Sequence, residues 1–397
     1  MNRGDRMVVG LAAAYVGVLV AKAALAGTAV ARRRARVRAA ADRPEPGRPP
    51  VEPADLTVVQ PILSGDPQLE DALVATLVAA PRARVLWLVD EDDVEGRRVA
   101  SAARSRHPLV DVEVVDCPPC PPAASPKAFK LALAETRITT AAFAVVDDDT
   151  RITADGVAAL LDGLRVADVS TGLPCYVPGP GRWSRLLAAF VNDQAILAYL
   201  PTSASGSARA LNGMTWAMRT RTLRRLGGFG PLTGLLADDL AIASRVRGAG
   251  GAIDQTDVPQ FVSTSVADGR AYRRLMHRWL VFAGLAVRAE AAGWRIALVV
   301  AYALPSALLA GLVAGALARP GTVRAGAVVG ALAARSAVIA AAQRTVTGRA
   351  RHDPAHSLAA ELALPVQFAA ALAVPRITWR SRRYVVHAND RFEPVAR

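Results

Sequence analysis

Apolar residues run almost without interruption from 7 to 30, with Lys22 the only charge, and the next eight positions carry Arg32, Arg33, Arg34, Arg36 and Arg38. About 24 helical residues at about 1.5 Å each exceed the roughly 30 Å hydrocarbon core of a bilayer. The pattern therefore predicts a membrane-spanning anchor over 7–30. A cleaved signal peptide has a shorter apolar core preceded by its positive cluster. Here the cluster follows the core, so the anchor is expected to stay. The positive-inside rule then keeps the arginines, and the chain that follows them, in the cytoplasm.

Residues 40–55 are rich in Pro, Arg and Glu without apolar periodicity and predict a linker. From 56 onward "LTVVQPIL", "ARVLWLVDEDD", "VDVEVVDC" and "AAFAVVDDDT" have the apolar runs of buried strands. Helix-like "PQLEDALVATLVAA" and "KAFKLALAETR" fall between them. Alternating strand and helix predict an α/β domain over 56–290, with a mostly parallel, Rossmann-like sheet covered on both faces. Ligands bind such sheets beyond the carboxyl ends of the strands, where the acidic clusters at 90–93 and 147–149 fall.

Toward the C-terminus, 296–318 and 325–342 are apolar and separated by "RPGTVR", which predicts a helical hairpin whose second arm carries Arg335. A third apolar stretch, 357–374, contains Glu361 and Pro365 and has basic flanks on both sides. A span, a re-entrant segment and an interfacial segment are the alternatives, and keeping both flanks cytoplasmic favours re-entry. Membrane helices are thus expected over 296–375 and a basic cytoplasmic or interfacial tail over 376–397. The stretch from Trp183, "WSRLLAAFVNDQAILAYLPTSASGSA", fits equally a core helix and an interfacial segment that guides a lipid.

Composition narrows the class. Hydrophobic residues make up 52% of the 397 positions but aromatics only 5%, so Ala, Val and Leu supply the apolarity, as in long membrane helices. The net charge of +14 would suit nucleic acid, but no nucleic-acid-binding motif is present and the arginines cluster beside apolar runs. The charge is expected to face anionic lipid and anionic substrate, with no nucleic-acid partner. Three cysteines make no disulfide framework, and Cys117-Pro-Pro-Cys120 lacks the further ligands of a zinc site, so it is read as a stiffened loop.

Three consecutive carboxylates, Asp147, Asp148 and Asp149, end an apolar strand, and their mutual repulsion calls for a cation or deep solvation. A solvated acidic turn would explain them alone. They are followed by an acidic pair, Asp238 and Asp239, where helix capping is the simpler explanation. Then comes "RRLMHRWLVFAG", with Arg274, Arg278 and Trp279 before the membrane segments, where an interfacial Arg/Trp belt is the simpler explanation. Their order carries more than any one of them. A divalent cation neutralises a diphosphate, a separate carboxylate takes an acceptor proton, and cationic donors stabilise departing phosphate oxygens, which is the chemistry of sugar transfer from a nucleotide-diphosphate donor.

With these motifs the sequence resembles the membrane-anchored, GT-A-fold processive-type glycosyltransferases, within them the ceramide glucosyltransferase-like branch, from about Leu56 to Tyr384. The family pattern is D, D, D, (Q/R)-x-x-R-W. The resemblance implies that Asp90, or the nearby Asp92, contacts the nucleotide base. It implies that Asp147 and Asp149 bind Mg2+ or Mn2+ and the diphosphate, that Asp239 is the general base beside Asp238, and that Lys127 approaches the nucleotide. Asn212 and Gly213 match the acceptor side, and "TWRSRRY" is similar to the family's Trp-Arg-x-Arg-Arg tail. Arg278 and Trp279 match the Arg-Trp motif. The position three before Arg278 is Leu275, a departure from the pattern; Arg274 shares a helical face with Arg278 and is the available substitute.

The expectation is an inverting transferase that moves a hexose, such as glucose, from a UDP-sugar to a lipid hydroxyl such as that of ceramide, at the cytoplasmic face of the membrane. A nucleotidyltransferase, or a catalytically silent membrane scaffold on the same fold, are the alternatives.

Overall fold

The computed structural model describes residues 1–122, 124–379 and 382–395. Its elements follow in chain order. Helix α1 (Arg3–Asp42) is succeeded by β1 (Leu56–Ile62), α2 (Leu69–Ala79), β2 (Arg84–Asp90), α3 (Val94–Arg106), β3 (Val112–Cys117), α4 (Pro126–Ala134), β4 (Ala142–Val146), β5 (Thr150–Arg151), α5 (Ala154–Gly163) and β6 (Val169–Pro178). Then come α6 (Arg182–Gln194), a wider turn over Ala195–Tyr199, α7 (Leu200–Thr202), β7 (Thr215–Arg219), α8 (Thr220–Arg225), α9 (Asp238–Gly248) and β8 (Ile253–Thr264). The last are α10 (Gly269–Arg288), α11 (Ala292–Ala318), α12 (Thr322–Thr347), α13 (Pro354–Ala373), β9 (Arg376–Trp379), β10 (Arg382–Ala388) and β11 (Arg391–Pro394). The chain divides into two compact units: Val30–Val177, Thr202–Thr264 and Tyr384–Arg397 form one, and Met1–Ala29, Pro178–Pro201 and Ser265–Arg383 form the other.

The first unit is built on an eight-stranded sheet in the order β3-β2-β1-β4-β7-β6-β8-β5. β1 pairs in parallel with both β2 and β4, and β2 with β3, giving the Rossmann-like half anticipated from the sequence. The other half is antiparallel where β7 meets β4 and β6, and where β5 meets β8. Every residue of β1 is buried because helices cover both faces. Side chains alternate between the faces: Val58, Val85 and Trp87 pack with Leu73, Leu77 and Leu160, whereas Val59, Leu86 and Leu88 pack with Leu131, Phe143 and Trp216. Trp87 keeps its buried indole N–H satisfied by donating to Gln60 Oε1 at 2.9 Å. On the opposite face Phe143 meets Trp216 and Phe229 edge-on, with ring centroids 5.6 and 5.5 Å apart.

Two features of this unit lie outside what the sequence patterns suggested. The last turns of α1 are not simply a basic flank: Arg33 is buried, with Nε 2.9 Å from Asp254 Oδ2 and Nη1 3.0 Å from Asp257 Oδ1, and Arg34 joins Asp257 at 2.6 Å. Part of the arginine cluster is therefore spent on carboxylates of β8. The Pro-rich segment after α1 is also tied down, since Arg219 donates to Pro49 O at 2.8 Å, Arg221 donates to Gly47 O, and Arg48 pairs with Asp168 at 3.2 Å.

Among the described residues, four helices are long and apolar enough to cross a membrane by length and composition: Arg3–Asp42, whose residues up to Ala29 belong to the second unit, and Ala292–Ala318, Thr322–Thr347 and Pro354–Ala373 within that unit. These support an integral membrane protein. The stretch for which the sequence favoured re-entry is an unbroken helix, α13, with Pro365 inside it. The segment from Trp183 forms α6 and groups with the membrane helices. Buried polar groups knit this unit together. Arg335 Nε lies 2.8 Å from Glu361 Oε2 and 2.9 Å from the Tyr15 hydroxyl, and Arg335 Nη2 donates to Ser357 Oγ at 2.6 Å. Asp193 of α6 accepts from Gln343 Nε2 at 2.9 Å and from the Ser357 hydroxyl. With no water in a bilayer core, each of these groups needs such a partner.

Candidate active site

β4 runs apolar and fully buried up to Val146, and the chain then turns through Asp147, Asp148 and Asp149, each half-buried at the carboxyl end of the strand. The turn is fixed from several sides. Asp147 N–H donates to Met214 O at 2.9 Å, Thr150 N–H donates back to Asp147 O at 3.1 Å, and Asp148 Oδ2 accepts from Leu63 N–H at 2.7 Å. Leu63 follows β1, so the carboxyl ends of β1 and β4 are joined at the acidic turn.

Helix α4 begins with Pro126 in its first turn, where a missing N–H costs nothing. It supplies two cations. Lys127 Nζ lies 2.6 Å from Asp147 Oδ1, donates to Gly213 O at 2.8 Å, and stands 3.8 Å from Asp238 Oδ2. Burial works against the ammonium charge, but Asp147 and Asp238 outweigh it and hold Lys127 above its usual range. Lys130, one turn on and buried, donates to Ile62 O at 2.6 Å and pairs with Asp90 Oδ2 at 2.9 Å. Asp90 is thus held within the cluster, whereas Asp92 is exposed in the turn that follows. Asp93 caps α3, accepting from Gly96 N–H and Ser64 N–H at 2.8 Å each.

Asp238 and Asp239 open α9, a position favoured by the helix dipole. Capping does not account for them, because the N-cap residue is Ala237 and no side chain caps that end. Asp239 Oδ1 accepts from the adjacent Leu240 N–H, at 2.7 Å. A Cβ at Gly213 would come within 2.9 Å of Asp239 Oδ2, so glycine is what admits this carboxylate beside the β7 approach. Burial, then the Asp238 charge, push the Asp239 carboxyl up to about 7, with Lys127 opposing. Burial followed by Asp147 and Asp148 push Asp149 up to about 7 as well. Two carboxyls with raised proton affinity mark a site short of positive charge.

Asn212 stands beside Gly213, its N–H donating to Thr171 Oγ1 at 2.9 Å. Asp90, Lys127, Asp147, Asp149, Asp238 and Asp239 are therefore gathered in one unit, around the carboxyl ends of β1, β2 and β4 and the start of α9. Arg274, Arg278 and Trp279 lie on α10 in the other unit, with Arg274 exposed and the other two half-buried. Arg274 and Arg278 are one helical turn apart, and His277 Nε2 is 3.0 Å from both Val374 O and Arg376 O. In the "TWRSRRY" tail, Arg380 and Ser381 lie outside the described residues.

Sequence reasoning missed two residues that shape the site. Lys130 had a visible signal, being three residues from Lys127 on one helix face. Asn389 had none. Asn389, in the β10–β11 turn, binds the segment just before Asp238: its Oδ1 accepts from Ala237 N–H at 2.7 Å, its Nδ2 donates to Ala237 O at 3.0 Å, and its own carbonyl accepts from Leu236 N–H at 2.9 Å. A separate open cavity of about 450 Å³, lined by Glu45, Arg48, Asp168, Arg221 and Arg225, holds none of the carboxylates of the motifs. The cysteines are free thiols, and burial pushes Cys117 up to about 11, far from a reactive thiolate.

A parallel-then-antiparallel sheet with an Asp-x-Asp turn at the end of β4, joined to several long apolar helices, defines a GT-A glycosyltransferase with membrane helices. The chain belongs to glycosyl transferase family 21, whose model matches residues 14–392. In structure it is similar to a mannosyltransferase from Pyrobaculum calidifontis in complex with GDP-Man and Mn2+, with a TM-score of 0.52 at 18% identity, over 91% of this chain and 98% of that one. A more partial likeness is to glucosyl-3-phosphoglycerate synthase from Mycobacterium tuberculosis in complex with Mn2+, UDP and glucosyl-3-phosphoglycerate, with a TM-score of 0.35 at 16% identity, over 58% of this chain and 80% of that one. No curated protein matches the sequence.

Proposed function

We propose that the protein is an inverting, metal-dependent glycosyltransferase that moves a hexose from a nucleotide-sugar, with a UDP-sugar such as UDP-glucose as the first choice, to a lipid hydroxyl such as that of ceramide. The observation that carries the reading is the Lys127-centred cluster, in which Asp147 at 2.6 Å and Asp238 at 3.8 Å hold the ammonium next to Asp239. Together with the family it supplies an acceptor-side base and a donor-side acidic turn in one place. The mannosyltransferase was solved with GDP-Man and Mn2+, which supports a nucleotide-sugar and a divalent metal as the classes of ligand here.

Among the described residues no group of three or more His, Cys, Asp or Glu side chains is arranged to hold a metal ion. A Mg2+ or Mn2+ ion that travels with a diphosphate does not need such a cage, because one or two carboxylates suffice when phosphate and water oxygens complete the shell. The raised proton affinity of Asp149 and the hard oxygen donors of Asp147 and Asp149 fit that arrangement. When bound, the ion would neutralise the departing diphosphate.

The steps left to the protein follow. Asp90, braced by Lys130, faces the nucleotide end of the site. Lys127 adds positive charge beside the diphosphate. Asp239 takes the acceptor proton as the hydroxyl oxygen attacks the anomeric carbon, the bond from that carbon to the diphosphate oxygen breaks, and configuration inverts. A base titrating near neutral pH is matched to that task. Arg278 and Trp279 correspond to the family's Arg-Trp motif, and Arg274 stands in for its first member. Membrane helices on the same chain suit a lipid acceptor, and the arginines after residue 31 favour the cytoplasmic side for the chain that follows them.

The test is transfer from radiolabelled nucleotide-sugars to lipid extracts, with the product identified by thin-layer and mass analysis. Labelled lipid with an inverted anomeric centre supports the reading. Pyrophosphate release indicates a nucleotidyltransferase, and a folded but silent protein indicates a scaffold. A reporter cysteine in the 43–53 segment that is labelled from outside intact cells would overturn the orientation.

A further inference from the structure

We propose that Asn389 is a positioning residue for the catalytic carboxylates, so that the chain after the last membrane helix returns to complete the active site. The proposal rests on the reading of Asp239 as the base. Helix α9 starts at Asp238, its N-cap is Ala237, and an alanine side chain has nothing with which to hold a helix start. Asn389, about 150 residues away in sequence, instead holds the N-cap residue itself. Its amide engages both polar groups of Ala237, through the 2.7 Å bond from Ala237 N–H and the 3.0 Å bond to Ala237 O, while its carbonyl takes the Leu236 N–H at 2.9 Å. Three bonds fix three successive peptide planes, and the next two residues are Asp238 and Asp239. The direction in which α9 leaves this clamp sets where both carboxylates point.

Asparagine is common in tight hairpin turns because its side chain bonds its own backbone and tolerates turn dihedrals. That does not explain this one, since both side-chain bonds of Asn389 go to Ala237. Aspartate could accept from Ala237 N–H but could not donate to Ala237 O, and alanine could do neither. The neighbouring turn residue, Asp390, is exposed and provides a control for the hairpin itself.

The experiment uses the full chain in lipid nanodiscs and compares Asn389→Ala, Asn389→Asp and Asp390→Ala with the parent protein. Expected for Asn389→Ala is a kcat lower by roughly 10- to 100-fold with donor KM within about twofold, the signature of a displaced base. Amide hydrogen exchange should quicken over 236–240 and nowhere in β1 or β4. Asn389→Asp is the milder variant and shifts both readouts the same way, while Asp390→Ala moves neither. A normal kcat in Asn389→Ala overturns the proposal. So does a lowered kcat without faster exchange over 236–240. If the parent protein transfers no sugar, the glycosyltransferase reading fails on its own. The exchange comparison still decides the clamp: unchanged exchange over 236–240 in Asn389→Ala sinks it.

Discussion

Lys127 Nζ stands 2.6 Å from Asp147 Oδ1, so the carboxylate assigned to the metal and diphosphate is paired with an ammonium of the same chain. That ammonium is also the nearest positive charge to Asp238, at 3.8 Å. Lys127 therefore links the acidic turn after β4, proposed for the donor, to the start of α9, proposed for the acceptor.

Lys127→Met removes this shared counter-charge and leaves four carboxylates, Asp147, Asp149, Asp238 and Asp239, without it. Breaking a fully buried pair costs about 3 to 5 kcal/mol. Here Asp147 is 33% exposed at its side chain, and solvent screening lowers the expected loss to about 2 kcal/mol. Denaturation of the purified protein should show that loss, with donor affinity falling in parallel. An unchanged denaturation midpoint together with unchanged nucleotide binding would remove Lys127 from the site.

The pH dependence of the metal-free protein follows from Asp149 and Asp239, both pushed up to about 7 from an ordinary value of 3.8. Between those values the folded state binds protons that the unfolded state has released, so stability falls as pH rises through that window. The protein should melt several degrees lower at pH 8 than at pH 5. Adding Mg2+ or Mn2+ should recover more of that loss at pH 8 than at pH 5, because protons and cation compete for the same carboxylates. Asp149→Asn should flatten the profile and weaken the cation effect. Scanning calorimetry at the two pH values, with and without metal, checks all three statements.

The parallel half of the sheet was legible because strands buried on both faces must be continuous apolar runs, as "TVVQPI" and "RVLWLVD" are. β8 was not, since "IDQTDVPQFVST" places Asp254 and Asp257 in mid-strand, a pattern that makes sense only once Arg33 is beside them. The same asymmetry holds at the site. Asp147, Asp149, Asp238 and Asp239 stood out as acidic clusters at element ends. Asn389 is one asparagine in a basic tail, and its partner Ala237 has a side chain with no polar atom to signal the contact. Local pattern reveals groups that are chemically conspicuous. It does not reveal a pairing of one side chain with main-chain atoms some 150 residues away.

Within the membrane-helix unit, Arg335 and Glu361 form a buried pair at 2.8 Å that also engages Tyr15. Removing one partner leaves a charge with no water to solvate it, so Arg335→Leu alone should reduce folded yield in detergent sharply. Arg335→Leu combined with Glu361→Leu should recover part of it, because the stranded charge is gone. Yields measured by size-exclusion chromatography give the coupling. If the loss in the double variant equals the sum of the losses in Arg335→Leu and Glu361→Leu, the two side chains act independently.

Asp239→Asn keeps the shape of the carboxylate and cannot accept a proton, so donor binding should persist while turnover falls by roughly two to four orders of magnitude. Asp238 has a different position: it is buried, and Lys127 is its charged neighbour at 3.8 Å. Asp238→Asn leaves the base in place and weakens only the hold on Lys127, so its loss of turnover should be smaller, with part of the effect appearing in donor KM. Removing the Asp238 charge also eases the repulsion that raises Asp239, so the acid limb of the pH–rate profile should move to lower pH in this variant. Steady-state kinetics of both variants across pH 5 to 9 separate the roles. If Asp238→Asn abolishes transfer while Asp239→Asn turns over normally, the base is Asp238, and if neither substitution matters, the pair serves only the start of α9.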